Sequence, residues 1–151
     1  MLFRSHSVET GRRLAYYSPG DSTAGTPEFT PDGSRLFFHK TVDGYSRLVV
    51  TDMQGSNLKV VSTARAIEVS PRVNPKNAKD LLFISGRSGR QQLWRMNEDG
   101  TDLQMLTSGE GDVANPAWSP NGQMVAFAWT RGYEPGNLNI FVMDINKKQP
   151  I

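Results

Sequence analysis

Three stretches of this chain repeat one another: Thr26-Pro27-Glu28-Phe29-Thr30-Pro31-Asp32-Gly33, Ser70-Pro71-Arg72-Val73-Asn74-Pro75-Lys76-Asn77, and Asn115-Pro116-Ala117-Trp118-Ser119-Pro120-Asn121-Gly122. Pro27, Pro71 and Pro116 stand 44 and 45 residues apart, and Pro31, Pro75 and Pro120 keep the same spacing. A fixed period of this length constrains the fold more than any other feature. A unit that short cannot enclose a core alone, so its apolar faces are buried by stacking on the next copy.

The rest of the unit repeats too. Leu36-Phe37-Phe38 matches Leu81-Leu82-Phe83 and Val125-Ala126-Phe127, and Leu48-Val49-Val50 matches Leu93-Trp94-Arg95 and Ile140-Phe141-Val142. Each unit then turns through polar residues (Asp52 to Gly55, Asn97 to Gly100, Asp144 to Lys147), and the first two close on a short apolar run, Leu58 to Val61 and Leu103 to Leu106. The runs are short, often alternating, rich in β-branched and aromatic side chains, and bounded by Gly, Pro, Asn and Asp, which is the pattern of strands. No window of a dozen residues carries a clean 3.6-residue period. Each unit is expected to be four short antiparallel strands. That is the blade of a β-propeller, with another all-β solenoid as the alternative arrangement. The repeated prolines should lie near the starts of the inner strands.

The turns have a mechanism. In Thr30-Pro31-Asp32-Gly33 and Ser119-Pro120-Asn121-Gly122 the proline presets φ at the second position and glycine sits fourth, as a type I turn prefers. Asn74-Pro75-Lys76-Asn77 has lost the glycine and reads as a local irregularity of one unit.

The pattern Pro-x-Trp/Phe-Ser-Pro-Asp/Asn-Gly, an apolar strand ending in Phe, then Ile140-Phe141-Val142-Met143-Asp144, resembles the propeller repeats of the TolB family. The stretch from Asn115 to Asp144 carries it best, and Ile84-Ser85-Gly86-Arg87-Ser88-Gly89 fits as well; the likeness runs from about Val8 to Asn146. It implies an all-β, six-bladed propeller of which this chain supplies about three and a half blades. The expected division is the outer part of an incomplete blade over 1–22, blades over 23–66 and 67–111, and an incomplete last blade over 112–151. Met1 to His6 has no apolar leader segment, so the sequence reads as a piece of a longer protein, or as a three-blade block that closes on a second copy. An open arc is expected to be marginally stable on its own or to self-associate.

The resemblance further implies a periplasmic, non-catalytic scaffold of the Tol–Pal cell-envelope system, whose partners are the peptidoglycan-associated lipoprotein and other Tol proteins. The proline repeat alone is also shared by propellers that gate the active site of prolyl-oligopeptidase-type serine peptidases, which is the alternative reading. In the TolB-like reading, the loops leading into the inner strands (Ser22 to Thr26, Ala64 to Ser70, Asp112 to Asn115) form the partner-contacting rim. A contact role is carried onto Thr23, Thr26, Arg65, Glu68, Asp112 and Asn115.

Other chemistries find little support. Only His6 and His39 could serve as a histidine base, and no Gly-x-Ser-x-Gly is present, so no catalytic, cofactor-binding or metal-binding residue is assigned. Asn97-Glu98-Asp99-Gly100 reads as a hairpin turn rather than a calcium loop. Arg87-Ser88-Gly89-Arg90 reads as a solvated loop between second and third strands. With 17 basic and 15 acidic side chains the net charge of +2 does not argue for nucleic acid, and no apolar run of membrane-spanning length occurs. There are no cysteines, hence no disulfides. Trp94, Trp118 and Trp129 are assigned to the core, and Gly132 to Leu138 to a lengthened hairpin.

Overall fold

The computed structural model describes residues 23–131, 137–147 and 149–150. They form three four-stranded antiparallel sheets. The first is β1 (Ala24–Phe29), β2 (Arg35–Val42), β3 (Tyr45–Asp52) and β4 (Lys59–Val60). The second is β5 (Glu68–Asn74), β6 (Asn77–Ser85), β7 (Gln92–Asn97) and β8 (Gln104–Met105). The third is β9 (Val113–Trp118), β10 (Met124–Trp129), β11 (Asn139–Asp144) and β12 (Gln149–Pro150). Strand order within each sheet follows the chain, and the described residues contain no helix. Because β5 packs on β1 to β3 and β9 on β5 to β7, the inner strand of each sheet lies against its predecessor. These are successive blades of a propeller. The expected blade at 1–22 and most of the Gly132 to Leu138 insertion lie outside the described residues.

The period-2 geometry of a strand explains the core. In the second blade Leu81 and Phe83 face back and join Phe37, Leu48, Val50 and Val61 of the first blade. Leu82 and Ile84 face forward and join Val125, Phe127, Trp129 and Met143 of the third. A strand buried on both faces reads as an unbroken apolar run, which is why Leu81-Leu82-Phe83-Ile84 does not alternate. Trp129, Phe127 and Phe141 pack with ring centroids 5.4 to 6.0 Å apart.

The repeated prolines are not at strand starts. Pro27, Pro71 and Pro116 are each the fourth residue of an inner strand, inside a β-bulge. Thr26-Pro27 opposes Phe38 alone, Ser70-Pro71 opposes Phe83, and Asn115-Pro116 opposes Phe127, because the pairing shifts register there. Thr26, Ser70 and Asn115 take φ of 49°, 55° and 52°. A bulge leaves a residue out of the ladder, so proline costs no ladder hydrogen bond at that point.

Two other expectations change. The last unit, expected as an incomplete blade over 112–151, carries β12, which is two residues long as β4 and β8 are. The irregular turn at Asn74 braces two blades. Asn74 Nδ2 donates to Asp80 Oδ2 (3.0 Å) and to Gly122 O of the next blade (3.2 Å), while its Oδ1 accepts the Lys76 N–H (2.9 Å). The regular turns behave as read: Gly33 N–H donates to Thr30 O and Gly122 N–H to Ser119 O.

Candidate protein-docking face

Each inner strand starts at one end of the stack. The β2–β3 and β6–β7 connections lie at that end, as do the β4–β5 and β8–β9 connections; the proline turns lie at the other. The bulges of the first two blades meet. Freed from the ladder, the Ser70 N–H donates to Thr26 Oγ1 of the preceding blade (3.1 Å). Thr26 Oγ1 also lies 2.7 Å from His39 Nδ1. Burial holds His39 below its ordinary pKa of 6.5. One residue past the bulge, Arg72 binds both neighbours: Nε donates to Pro116 O (3.0 Å), NH1 pairs with Glu28 (3.2 Å), and its own carbonyl accepts from Trp118 Nε1 (3.0 Å). Burial pushes the Glu28 carboxyl up despite this partner.

Two of the six expected contact residues come together. Arg65 and Asp112 line one groove of about 330 Å³ with Ile67, Gly86, Arg90 and Gln91. Asp112 is exposed, yet it fixes the groove wall: its Oδ1 accepts the Gln91 N–H (3.0 Å) and its N–H donates to Thr130 Oγ1 (2.8 Å). Thr23 is exposed and bonded to Thr41 (2.9 Å), Thr26 is half-buried in the network above, and Asn115 is exposed in its bulge.

Glu68 departs from the expectation. It begins β5 rather than sitting in a loop, and its exposure is 0%. Its Oε1 accepts from Ser85 Oγ (2.9 Å) and Arg87 Nε (3.1 Å), with Arg87 NH2 bound as well, and Oε2 is enclosed without a partner. A partner cannot reach such a carboxylate, so it is a structural anchor. Thr26 and Asn115 are likewise inside strands, since the ladder continues past the bulge. Arg87 is not a solvated loop residue either: its guanidinium lies 5.5 Å and 5.1 Å from the Phe83 and Trp94 ring centroids.

Ile67 and Arg90, two residues of the groove, were not singled out as contacts. One sequence signal bore on them. The β6–β7 connection spans 86–91, whereas the equivalent β2–β3 turn of the first blade is only Asp43-Gly44. A second cavity, about 480 Å³ and lined by Ser88, Arg90, Gln92, Met105 and Ser108 among others, lies on the other side of the same turn. Among the described residues no group of three His, Cys, Asp or Glu side chains is placed to hold a metal ion.

The chain is 29% identical over 141 residues to the protein TolB homolog of Chlorobium luteolum, covering 92% of this chain and 30% of that protein. It superposes on TolB from Acinetobacter baumannii with a TM-score of 0.81 at 23% identity, covering 96% of this chain and 35% of that one. It also superposes on a puromycin-hydrolyzing peptidase of Mycobacterium tuberculosis with a TM-score of 0.70 at 16% identity, over 95% of this chain and 23% of that one. At such identities the structural likenesses speak for the fold alone. The chain thus spans about a third of the TolB proteins it matches. The TolB beta propeller domain profile matches residues 5–149, and the chain belongs to that family.

Proposed function

We propose that this chain contributes to a non-catalytic, protein-binding scaffold of the Tol–Pal cell-envelope system. It works in the periplasm, in contact with the peptidoglycan-associated lipoprotein and other Tol proteins. The observation that carries this reading is the family match across nearly the whole chain. The convergence of Arg65 and Asp112 on one groove supports the position of the contact face. Thr23 and Asn115 belong to the proposed rim, and Glu68 is withdrawn from it because it is buried.

The arrangement of polar groups favours binding over turnover. His39, the histidine among the described residues, spends its Nδ1 on Thr26, and that hydroxyl is itself held by the Ser70 N–H. The group braces two inner strands instead of activating a nucleophile. Resemblance to the peptidase propeller transfers no activity, since folds of this kind carry unrelated functions. Isothermal titration of the full chain with the soluble domain of a peptidoglycan-associated lipoprotein tests the reading. Saturable heat is expected, and its absence with the fold intact would refute a lipoprotein-binding role.

A further inference from the structure

We propose that the groove between Arg65 and Arg90 is a docking site for an extended, acidic segment of the protein partner. This deepens the scaffold reading above and rests on it. Arg35, Arg72, Arg87 and Arg95 are each paired with a carboxylate. Arg47 bonds Val42 O and Arg131 lies 4.9 Å from the Trp129 ring centroid. Arg65 and Arg90, both exposed, are the two described arginines that make no ion pair, hydrogen bond or ring contact through their side chains, and they line the same groove. Two unpaired guanidiniums beside one carboxylate, Asp112, leave the groove with one surplus positive charge. Asp112 is committed in part to the Gln91 N–H. Guanidinium forks match carboxylates in geometry as well as charge.

Ile67 gives the groove an apolar side, 55% exposed. Gly86 and Gly89 border it without side chains, and a Cβ added at Gly89 would meet nothing within 4 Å. A partner backbone can therefore approach closely. The walls are tied down by Gly86 N–H to Ile67 O (3.0 Å), Gly89 N–H to Gly86 O (3.0 Å) and Val113 N–H to Gln91 O (2.8 Å), so little ordering is needed on binding. A volume of about 330 Å³ takes a few side chains, not a domain. No aromatic side chain lines the groove, which disfavours stacked nucleobases. The groove is assembled from the second blade and the two connections flanking it, away from the outer faces of the first and third blades.

The test uses the full chain, a dye-labelled extended peptide alternating Glu with Leu and Ala, and a matched Lys peptide, read by fluorescence anisotropy. The wild type should bind the acidic peptide saturably, more weakly as salt rises, and ignore the basic one. The double variant R65E/R90E should lose roughly tenfold or more in affinity, with an unchanged circular dichroism spectrum because neither side chain bonds within the fold. The lipoprotein titration is repeated on the same variant and should weaken in parallel. Equal binding of the acidic peptide by wild type and variant, or no binding by the wild type, overturns the proposal. Loss of the peptide with full lipoprotein affinity overturns it too, while leaving the scaffold function standing. Arginine-dependent peptide binding without lipoprotein binding supports the acidic-segment chemistry and refutes the lipoprotein as its source.

Discussion

Leu48, Leu93 and Ile140 occupy one repeat position, pairing with His39, Ile84 and Ala128 of the neighbouring strand. Their surroundings differ because each points toward the next blade. Leu48 and Leu93 are 0% exposed between blades, whereas Ile140, on the last described blade, is 74% exposed. Leu93→Ala removes three carbons, or ~2.4 kcal/mol of transfer free energy at ~0.8 kcal/mol each. A void of roughly 60 Å³ left unrelaxed adds ~1.4 kcal/mol at ~24 cal/mol per Å³. The expected loss is about 4 kcal/mol for Leu93→Ala, similar for Leu48→Ala, and within about 0.5 kcal/mol of zero for Ile140→Ala. Urea unfolding followed by far-UV circular dichroism measures all three, at concentrations dilute enough to keep the chain monomeric. If Leu93→Ala leaves no folded baseline, Leu93→Val, about 1 kcal/mol, gives a readable shift. An Ile140→Ala cost equal to that of Leu93→Ala would refute the directional stacking of blades.

At higher concentration the exposed Ile140, together with Phe29 at 58%, should drive self-association. Light scattering should show mass rising with concentration in the wild type and less so in Ile140→Lys; a wild type monomeric throughout would contradict this. Glu68→Gln should cost about 2–3 kcal/mol, less than a fully enclosed pair because Arg87 can turn to water, and a silent substitution in urea unfolding would contradict its anchoring role. His39 is neutral-favouring in the fold, so its contribution is present above pH 6.5, the unfolded value, and is lost as pH falls from there through its lower folded pKa. Wild type should therefore lose more stability than His39→Gln between pH 7 and pH 5, and parallel profiles would contradict the burial of the His39 ring. Gly122→Ala should destabilise by more than 1 kcal/mol, since φ is +70° and a Cβ would meet Asn74 Oδ1 at 2.2 Å; melting temperature reads it directly, and no change would sink the cross-blade brace.

What the chain spells out depends on how local the cause is. Strands and turns follow from runs such as Leu81 to Ile84 and from Pro31-Asp32-Gly33, because side-chain periodicity and φ preference act within a few residues. Pro27, Pro71 and Pro116 were visible as a repeat, but their place in bulges was not, since a bulge is a relation between two strands. The same holds for Glu68. Its burial is set by Ser85 and Arg87, 17 and 19 residues away, and nothing at position 68 announces it. The loop residues Arg65 and Asp112 could be named from their distance to the prolines, whereas their meeting in one groove with Arg90 needed the packing of two connections against a longer turn.

Hydrogen–deuterium exchange of the full chain, with and without the soluble domain of the peptidoglycan-associated lipoprotein, tests the docking face most directly. Added protection is expected over 62–67, 86–91 and 107–112, and none over the opposite turns at 31–33, 75–76, 97–100 and 120–122. Protection confined to those opposite turns would contradict it.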